Sequence, residues 1–571
     1  MSPTLPFWSA IVVLALWGLR RHGHGSLRTG ARSLRDAWAR HADPASDAFW
    51  ERMAMACPWL VLLTIPIGWA YAKSTYGVIG GDGYSWITQA ARMDVRDATT
   101  LVTPFHNFGW AAILSNAARL RASVLTVSQV ASVGFATLAS LAAVEITRPL
   151  TSARAFVFAT LAIVPGVATY AANGGTDLPA TTMQLVAVFF FLRPRPLCQW
   201  LAGLAIGIGF LFRHQSLLVL VGLSAVSLLD RRGRLRHWPL LALGTLIGAA
   251  PQLLANTLVT SNPLWSEHAK NLAFALSGAA DVRDWTRFPD AATPSLASFV
   301  PRIPALVARA VSNLAHDEEI LTSVALLALV ACIRDRREAR LQVAAIAFVY
   351  AFLVAPFWLE PRFLLFTSTA LSFLEGYAFV AVAWVVEDGI LRSLPYRRTH
   401  SFLAFAPLVA AAAGGLLGPL IHVPKDERRV LYDRASRCLA TYPEANAATV
   451  LALSSVRVDV ASHDLWTPFR TVESRGAQGL AAALDDPRTT FVLLSRESLT
   501  YDGGTMAWLE AALTTRFEPI CTPDLDPANP QLAAFRRRAG AEPSAPTSRP
   551  NEDTIRATHV PGADGPDETQ P

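Results

Sequence analysis

The chain has 571 residues, of which 52% are hydrophobic and 16% charged, and a formal net charge of +6. Soluble domains carry roughly 25% charged residues, so this composition excludes an ordinary soluble globular protein. It does not point to a nucleic-acid binder either: the Arg residues fall in short clusters between apolar runs, with no basic stripe and no interleaved aromatics.

In chain order, apolar runs predict spans at about 5–19, 54–72, 122–146, 153–171, 178–192, 197–212, 214–229, 238–259, 318–334, 341–358, 362–386 and 402–421. A crossing helix needs roughly 17–25 apolar residues. The shorter runs therefore require tilt or help from flanking residues. The first run, "PFWSAIVVLALWGL", also has the length of a signal-peptide core. Its basic residues Arg20 and Arg21 follow it rather than precede it, which favours a retained helix with its N-terminus outside. The fold class is thus an all-α polytopic membrane protein of about 12 transmembrane helices.

The basic segments, among them "RRHGHGSLRTGARSLRDAWAR", "TRPLTSAR", "DRRGRLRH" and "RDRREAR", all fall on one side of this arrangement. Positive loops mark the cytoplasm. The other side receives residues 73–121, the "NGGTD" turn, the Arg213–His214 turn, residues 260–317, "LEPR" and everything after about 422. Residues 99–121 and 296–315 have the amphipathic character of helices lying in a membrane interface.

Four regions follow: 1–53, an N-terminal helix and basic cytoplasmic loop; 54–421, the membrane domain with its first outer loop at 73–121; 422–540, a small periplasmic α/β domain; and 541–571, a tail. The α/β reading rests on the β-type runs "ATVLALSS" and "TTFVLLSR" with a helix-like stretch before "EPIC". The tail is rich in Pro, Asp and Glu and has too few large apolar residues to fold, so it is expected to be disordered. Cys57, Cys198 and Cys332 lie in or beside apolar runs as small hydrophobes. Cys438 and Cys521 fall in the outer C-terminal part, where an oxidising compartment favours a bridge between them.

The residues suited to chemistry sit at the outer ends of the spans. Asp82 stands in "GGDG", where flanking glycines permit close approach to a ligand and the carboxylate suits a general base; the same string is ordinary turn chemistry. Asp177 in "NGGTDLPA" suits a ligand contact or a helix N-cap. Arg213 and His214 interrupt "GFLFRHQSLLVL" and either face the bundle interior or reach the surface at a tight turn. Glu267, with His268 and Lys270, belongs to an outer loop that is either ligand-contacting or solvated. Glu360 and Arg362 in "FWLEPRFLLF" offer a guanidinium for a phosphate, or a local pair anchoring a helix end.

The succession of these segments carries more than any one of them. A glycine-hinged Asp82 after an early span is followed by "FHNFGWAAILSNAARL", "GGTDLPATTMQLVAVFFFLR", "GLAIGIGFLFRHQSLLVLVG", "NTLVTSNPL" and "LEPRFLLF". In this order, over roughly residues 54–390, the chain resembles the GT-C glycosyltransferases that use polyprenyl-phosphate sugars, such as protein O-mannosyltransferases and the lipid A aminoarabinose transferase. The resemblance implies Asp82 as catalytic base and matches Asp177, Arg213, Glu360 and Arg362 to the family's site residues; His214 and Glu267 join them as substrate-binding candidates from their own positions in the sequence. Phe363 stands where the family's "EPRY" element has Tyr. Gly83 stands where many relatives carry a second acid, which counts against a divalent metal, and no cofactor is expected.

The resemblance therefore implies an inverting sugar transfer at the periplasmic face of a bacterial inner membrane. The partners would be a polyprenyl-phosphate sugar donor, membrane lipid and a glycan, lipid or protein acceptor, without nucleic acid. Two other classes remain at this point, a transporter or flippase of lipid-linked sugars and a non-catalytic membrane scaffold, and with them a narrower rival, a polysaccharide polymerase or ligase.

Overall fold

The computed structural model describes Trp38, 48–74, Trp86, 89–90, 93–103, 107–120, Ala122, 124–229, 234–265, 300–331, Ile333, 336–356 and 361–389, and, further on, 438–439, 441–442, 449–452, 484–487, 489–495, 513–521 and 532–540. The described residues divide into two compact units, one ending at Gly389 and one beginning at Cys438. Asp82, Glu267 and Glu360, the expected spans at 5–19 and 402–421, and the tail lie outside the described residues.

The first unit is helical. Helix α1 (Ala48–Leu60) passes through a 3-10 turn, Val61–Leu63, into α2 (Thr64–Ser74). Pro66 has no N–H for the carbonyl one turn back, and the tightened turn lies just ahead of it. Short helices α3 (Gly109–Leu114) and α4 (Ala117–Leu120) precede the long α5 (Val124–Thr147) and α6 (Ala153–Thr169). Then come α7 (Asp177–Phe191), α8 (Pro196–Phe212), α9 (Ser216–Leu229), α10 (Trp238–Thr260), α11 (Ile303–His316), α12 (Glu318–Val330) and α13 (Arg337–Val354). Helices α14 (Pro361–Ala370) and α15 (Phe373–Gly389) close the unit.

Every expected span between residues 54 and 386 overlaps described helix. Among the described residues, four stretches are long and apolar enough to cross a membrane: Ala48–Lys73, Val124–Leu150, Ala153–Ala172 and Leu235–Thr260. Helices α7, α8 and α9 are apolar but shorter. The expected single span at 362–386 is a bent pair, Arg362–Ala370 and Phe373–Ala383, with a 61° angle. At the bend, Ser372 Oγ donates to the Thr369 carbonyl at 2.8 Å, and Leu374 N bonds the Leu371 carbonyl at 2.8 Å. Freed backbone groups at membrane depth need such local partners.

Helices α8 and α10 pack backbone against backbone. Each carries two glycines four apart, Gly203 and Gly207 on α8, Gly244 and Gly248 on α10. A Cβ placed on Gly248 would sit 2.6 Å from the Leu204 carbonyl oxygen, so only glycine lets the backbones touch. Small residues at this spacing are a means of helix association in lipid, where the hydrophobic effect gives no help. The outward side of α10 is apolar, with Leu246, Leu254 and Leu258 exposed, as a lipid-facing surface requires.

At the end bearing the Arg-rich segments, Arg340 is almost wholly buried. Its Nε donates to the Leu150 carbonyl at 2.6 Å and its Nη2 to the Tyr377 hydroxyl at 2.6 Å. A buried guanidinium is tolerated when its donors find such acceptors. It ties the loop before α6 to α15. On α11, Leu306 and Ala310 are buried while Ile303, Val307 and Val311 are exposed, the amphipathic pattern expected over 296–315.

The second unit holds a four-stranded sheet of β1 (Thr449–Ala452), β2 (Thr489–Ser495), β3 (Phe517–Ile520) and β4 (Leu532–Arg537), in the order β1-β2-β4-β3. β1 and β2 are parallel and the other two pairings antiparallel. Neighbouring residues Phe491 and Val492 are both fully buried. Successive strand residues face opposite sides, so both faces of β2 are covered. Arg537 donates to the carbonyls of Thr489, Leu484 and Asp486 at 2.8, 2.6 and 2.8 Å. Cys438 and Cys521 form a disulfide with Cα atoms 5.8 Å apart, as the compartment argument expects.

Candidate functional site

Helices α7 and α8 are joined by a short turn and run antiparallel, so the start of one lies beside the end of the other. Asp177 is the first residue of α7, and Thr176 precedes it as the N-cap residue. Asp177 is therefore not the cap. Arg213 follows α8 as its C-cap, in extended conformation. A carboxylate at a helix N-terminus and a guanidinium at a C-terminus each complement the local backbone dipoles.

The two side chains meet. Arg213 Nη2 lies 2.7 Å from Asp177 Oδ1, with 17% and 12% of the respective side chains exposed. Arg213 Nε donates to Thr176 Oγ1 at 3.1 Å, and Nη1 to Gln215 Oε1 at 3.2 Å. The surface reading of Arg213 is therefore replaced by a largely buried, multiply held guanidinium.

Arg213 also stands 4.8 Å from the centre of the Phe363 ring. Arg362, at the start of α14, stands 5.0 Å from the same ring. Phe363 is itself buried. Both distances fall within the roughly 6 Å reach of a cation–π contact. Three of the sequence candidates, Asp177, Arg213 and Arg362, are thus gathered around Phe363. His214 directs its ring edge-on to Phe210, with centroids 5.2 Å apart.

Beneath the cluster, Gln184 Nε2 donates to Ser216 Oγ at 3.4 Å, bridging α7 and α9. Gln129 of α5, fully buried, donates from Nε2 to the Ala72 carbonyl at 2.9 Å. That contact fixes the end of α2. Two guanidinium groups beside one ring make a donor-rich surface of the kind that grips phosphate oxygens. Among the described residues, no group of three or more His, Cys, Asp or Glu side chains could hold a metal ion.

Sequence reasoning missed Phe363 as a meeting point, and it missed the buried amides Asn107, Gln252 and Asn256. The signal was present for the amides: isolated polar residues inside apolar runs are rarely idle. For Phe363 the sequence offered only its place in the "EPRY"-like element, and an aromatic within "RFLLF" otherwise reads as core.

No protein-family model matches the chain, and no curated protein matches it in sequence. Solved structures do match in fold. The crystal structure of ArnT from Cupriavidus metallidurans bound to undecaprenyl phosphate aligns over 85% of this chain and 99% of that one, at 15% identity and a TM-score of 0.52. The apo form of the same protein aligns over 86% and 100%, at 14% identity and a TM-score of 0.50. The chain therefore has the GT-C fold, as the order of its sequence segments implied.

Proposed function

We propose that the protein is a membrane glycosyltransferase that moves a sugar from a polyprenyl-phosphate donor to an acceptor at the outer face of the membrane. The observation that carries this reading is the convergence of Arg213 and Arg362 on Phe363, with Asp177 holding Arg213. It occurs in a chain whose fold matches a protein captured with undecaprenyl phosphate.

In this reading the lipid phosphate binds beside the two guanidiniums. Asp82 removes the proton of the acceptor nucleophile. The nucleophile attacks the anomeric carbon, the carbon–oxygen bond to phosphate breaks, and polyprenyl phosphate leaves with the bonding electrons. Arg213 and Arg362 stabilise the charge that develops on the departing phosphate. A single displacement inverts the anomeric centre and needs no enzymic nucleophile. The Arg-rich segments supply the orientation: they mark the cytoplasm and leave Asp82 and the second unit in the periplasm of a bacterial inner membrane.

One observation favours a second reading. The bent pair α14–α15 is a broken helix, a feature of transporters that carry substrate near the midplane. A single experiment separates the two. The purified protein, in nanodiscs, is given undecaprenyl-phosphate sugars and the lipid and released sugar are quantified; in proteoliposomes, the sidedness of the same lipids is followed. Transfer or hydrolysis of donor with no change in sidedness is expected. Lipid movement without any cleavage would overturn the transferase reading.

A further inference from the structure

Three amides in the outer half of the first unit are linked, Gln252 to Asn256 by a hydrogen bond and Asn107 to Gln252 through the backbone of the neighbouring Phe108. Asn107, Gln252 and Asn256 are each at most 2% exposed. Asn107 Nδ2 donates to the carbonyl of Phe210. One residue on, the backbone N–H of Phe108 donates to Gln252 Oε1 at 3.0 Å. Gln252 Nε2 donates to Asn256 Oδ1 at 2.8 Å. Asn256 Nδ2 in turn donates to the carbonyls of Pro263 and Trp265 at 3.0 and 3.3 Å.

Each group so satisfied belongs to a helix end or a loop. Phe210 lies in the last turn of α8, where carbonyls lack intrahelical partners. Phe108 precedes α3, whose first N–H groups are in the same position. Pro263 and Trp265 begin the outer segment that leads to Glu267. Within a membrane these groups cannot turn to bulk water, so the amides fix where three chain segments stand relative to one another.

The segment fixed most closely is the one carrying Arg213. Asn107 holds the carbonyl three residues before it. Gly109 lies against the carbonyl two residues before it: a Cβ at Gly109 would be 2.5 Å from Leu211 O. Trp110, fully buried, stands 6.4 Å from Phe135, which meets Phe212 edge-on at 5.5 Å. Residues 107–110 thus clamp the last turn of α8 from one side, while Asp177 and Thr176 hold the Arg213 guanidinium from the other.

We infer that Asn107, Gln252 and Asn256 are positioning residues for Arg213, and that the relay sets how tightly the protein holds a lipid phosphate. The inference rests on the transferase reading. Through the same relay, residues 107–110 and 263–265 are held together with the Arg213 turn.

The test compares near-isosteric variants for binding of undecaprenyl phosphate in detergent micelles, read as a dissociation constant alongside a melting temperature. Asn107→Leu and Gln252→Met remove polar partners with little change in volume. Gln199→Leu is the control. Gln199 is equally buried and donates to the carbonyls of Phe191 and Arg193 at 3.1 and 2.9 Å, at the opposite end of α8. Asn107→Leu and Gln252→Met are expected to weaken binding about tenfold, the scale of one or two lost hydrogen bonds. Gln199→Leu should lower the melting temperature and leave affinity unchanged.

Equal affinity in all variants, or equal weakening by Gln199→Leu, would overturn the inference while leaving the transferase reading intact. Wild-type protein that does not bind the lipid phosphate would overturn both. Should Gln252→Met fail to fold, Asn107→Leu carries the test, since it keeps a similar volume and loses the donor to Phe210.

Discussion

Arg213 and Asp177 form an ion pair across the end of an antiparallel helix pair, with Nη2 2.7 Å from Oδ1. Their order along the chain matters. The acid opens α7 and the base closes α8, so each sits at the helix end its charge favours. Removing one partner of a largely buried pair leaves the other charge unmatched, which costs about 3 kcal/mol. Asp177→Ala should therefore lower the melting temperature clearly. The double reversal Asp177→Arg with Arg213→Asp should not restore it, because both charges would then oppose the backbone dipoles. Full recovery in a thermal-melting series would show that pairing alone matters.

Phe363 stands between the ion pair and Arg362. Replacing its ring by an aliphatic side chain, Phe363→Leu, removes cation–π contacts to both guanidiniums. At about 0.5 kcal/mol for each such contact, about 1 kcal/mol for the two, the affinity for undecaprenyl phosphate should fall roughly fivefold. Phe363→Tyr should keep it, since the ring remains. Arg362→Ala should weaken donor binding and turnover together. Unaltered donor affinity in Arg362→Ala would reduce Arg362 to a helix anchor.

Asp82→Asn is expected to abolish transfer while the lipid phosphate still binds. The loss of a general base typically costs about 10²–10⁴-fold in rate. A turnover assay beside the binding assay distinguishes this from a damaged donor site; full turnover in Asp82→Asn would exclude Asp82 as the base.

Orientation yields a fourth expectation. Single-cysteine labelling at position 82 and at position 234, in intact cells and in lysed ones, should place them on opposite sides of the membrane, with 82 outside. Labelling of both from the same side would reject the assignment of the Arg-rich segments to the cytoplasm.

The bridge between Cys438 and Cys521 closes a loop with a sequence separation of 83. Loop-entropy reasoning values such a closure at roughly 4 kcal/mol, with wide scatter among measured cases. Cys438→Ser and Cys521→Ser should each lower the temperature at which the second unit becomes protease-sensitive, by a similar amount, and the double variant should lose no more. Mass mapping under non-reducing conditions that found both thiols free in protein from the cell envelope would contradict the bridge.

Between residues 54 and 386 the sequence by itself determined where the helices lie. A span needs a run of apolar residues whose length the bilayer dictates, and that property adds up locally, residue by residue. It also gave the succession of polar breaks that implied the GT-C fold, and the strand-like runs within which β1 and β2 form. Only the tertiary structure decided what meets what. Asp177 reads as a cap until α8 brings Arg213 beside it, and Phe363 reads as core until two guanidiniums share its ring. The single span at 362–386 becomes a bent pair because Ser372 and its neighbours supply backbone partners that hydropathy does not register. Which polar groups face one another depends on the rotation and order of whole helices, set by contacts such as the glycine faces of α8 and α10. The physics of those contacts links residues far apart in the chain, so no window along the sequence contains it.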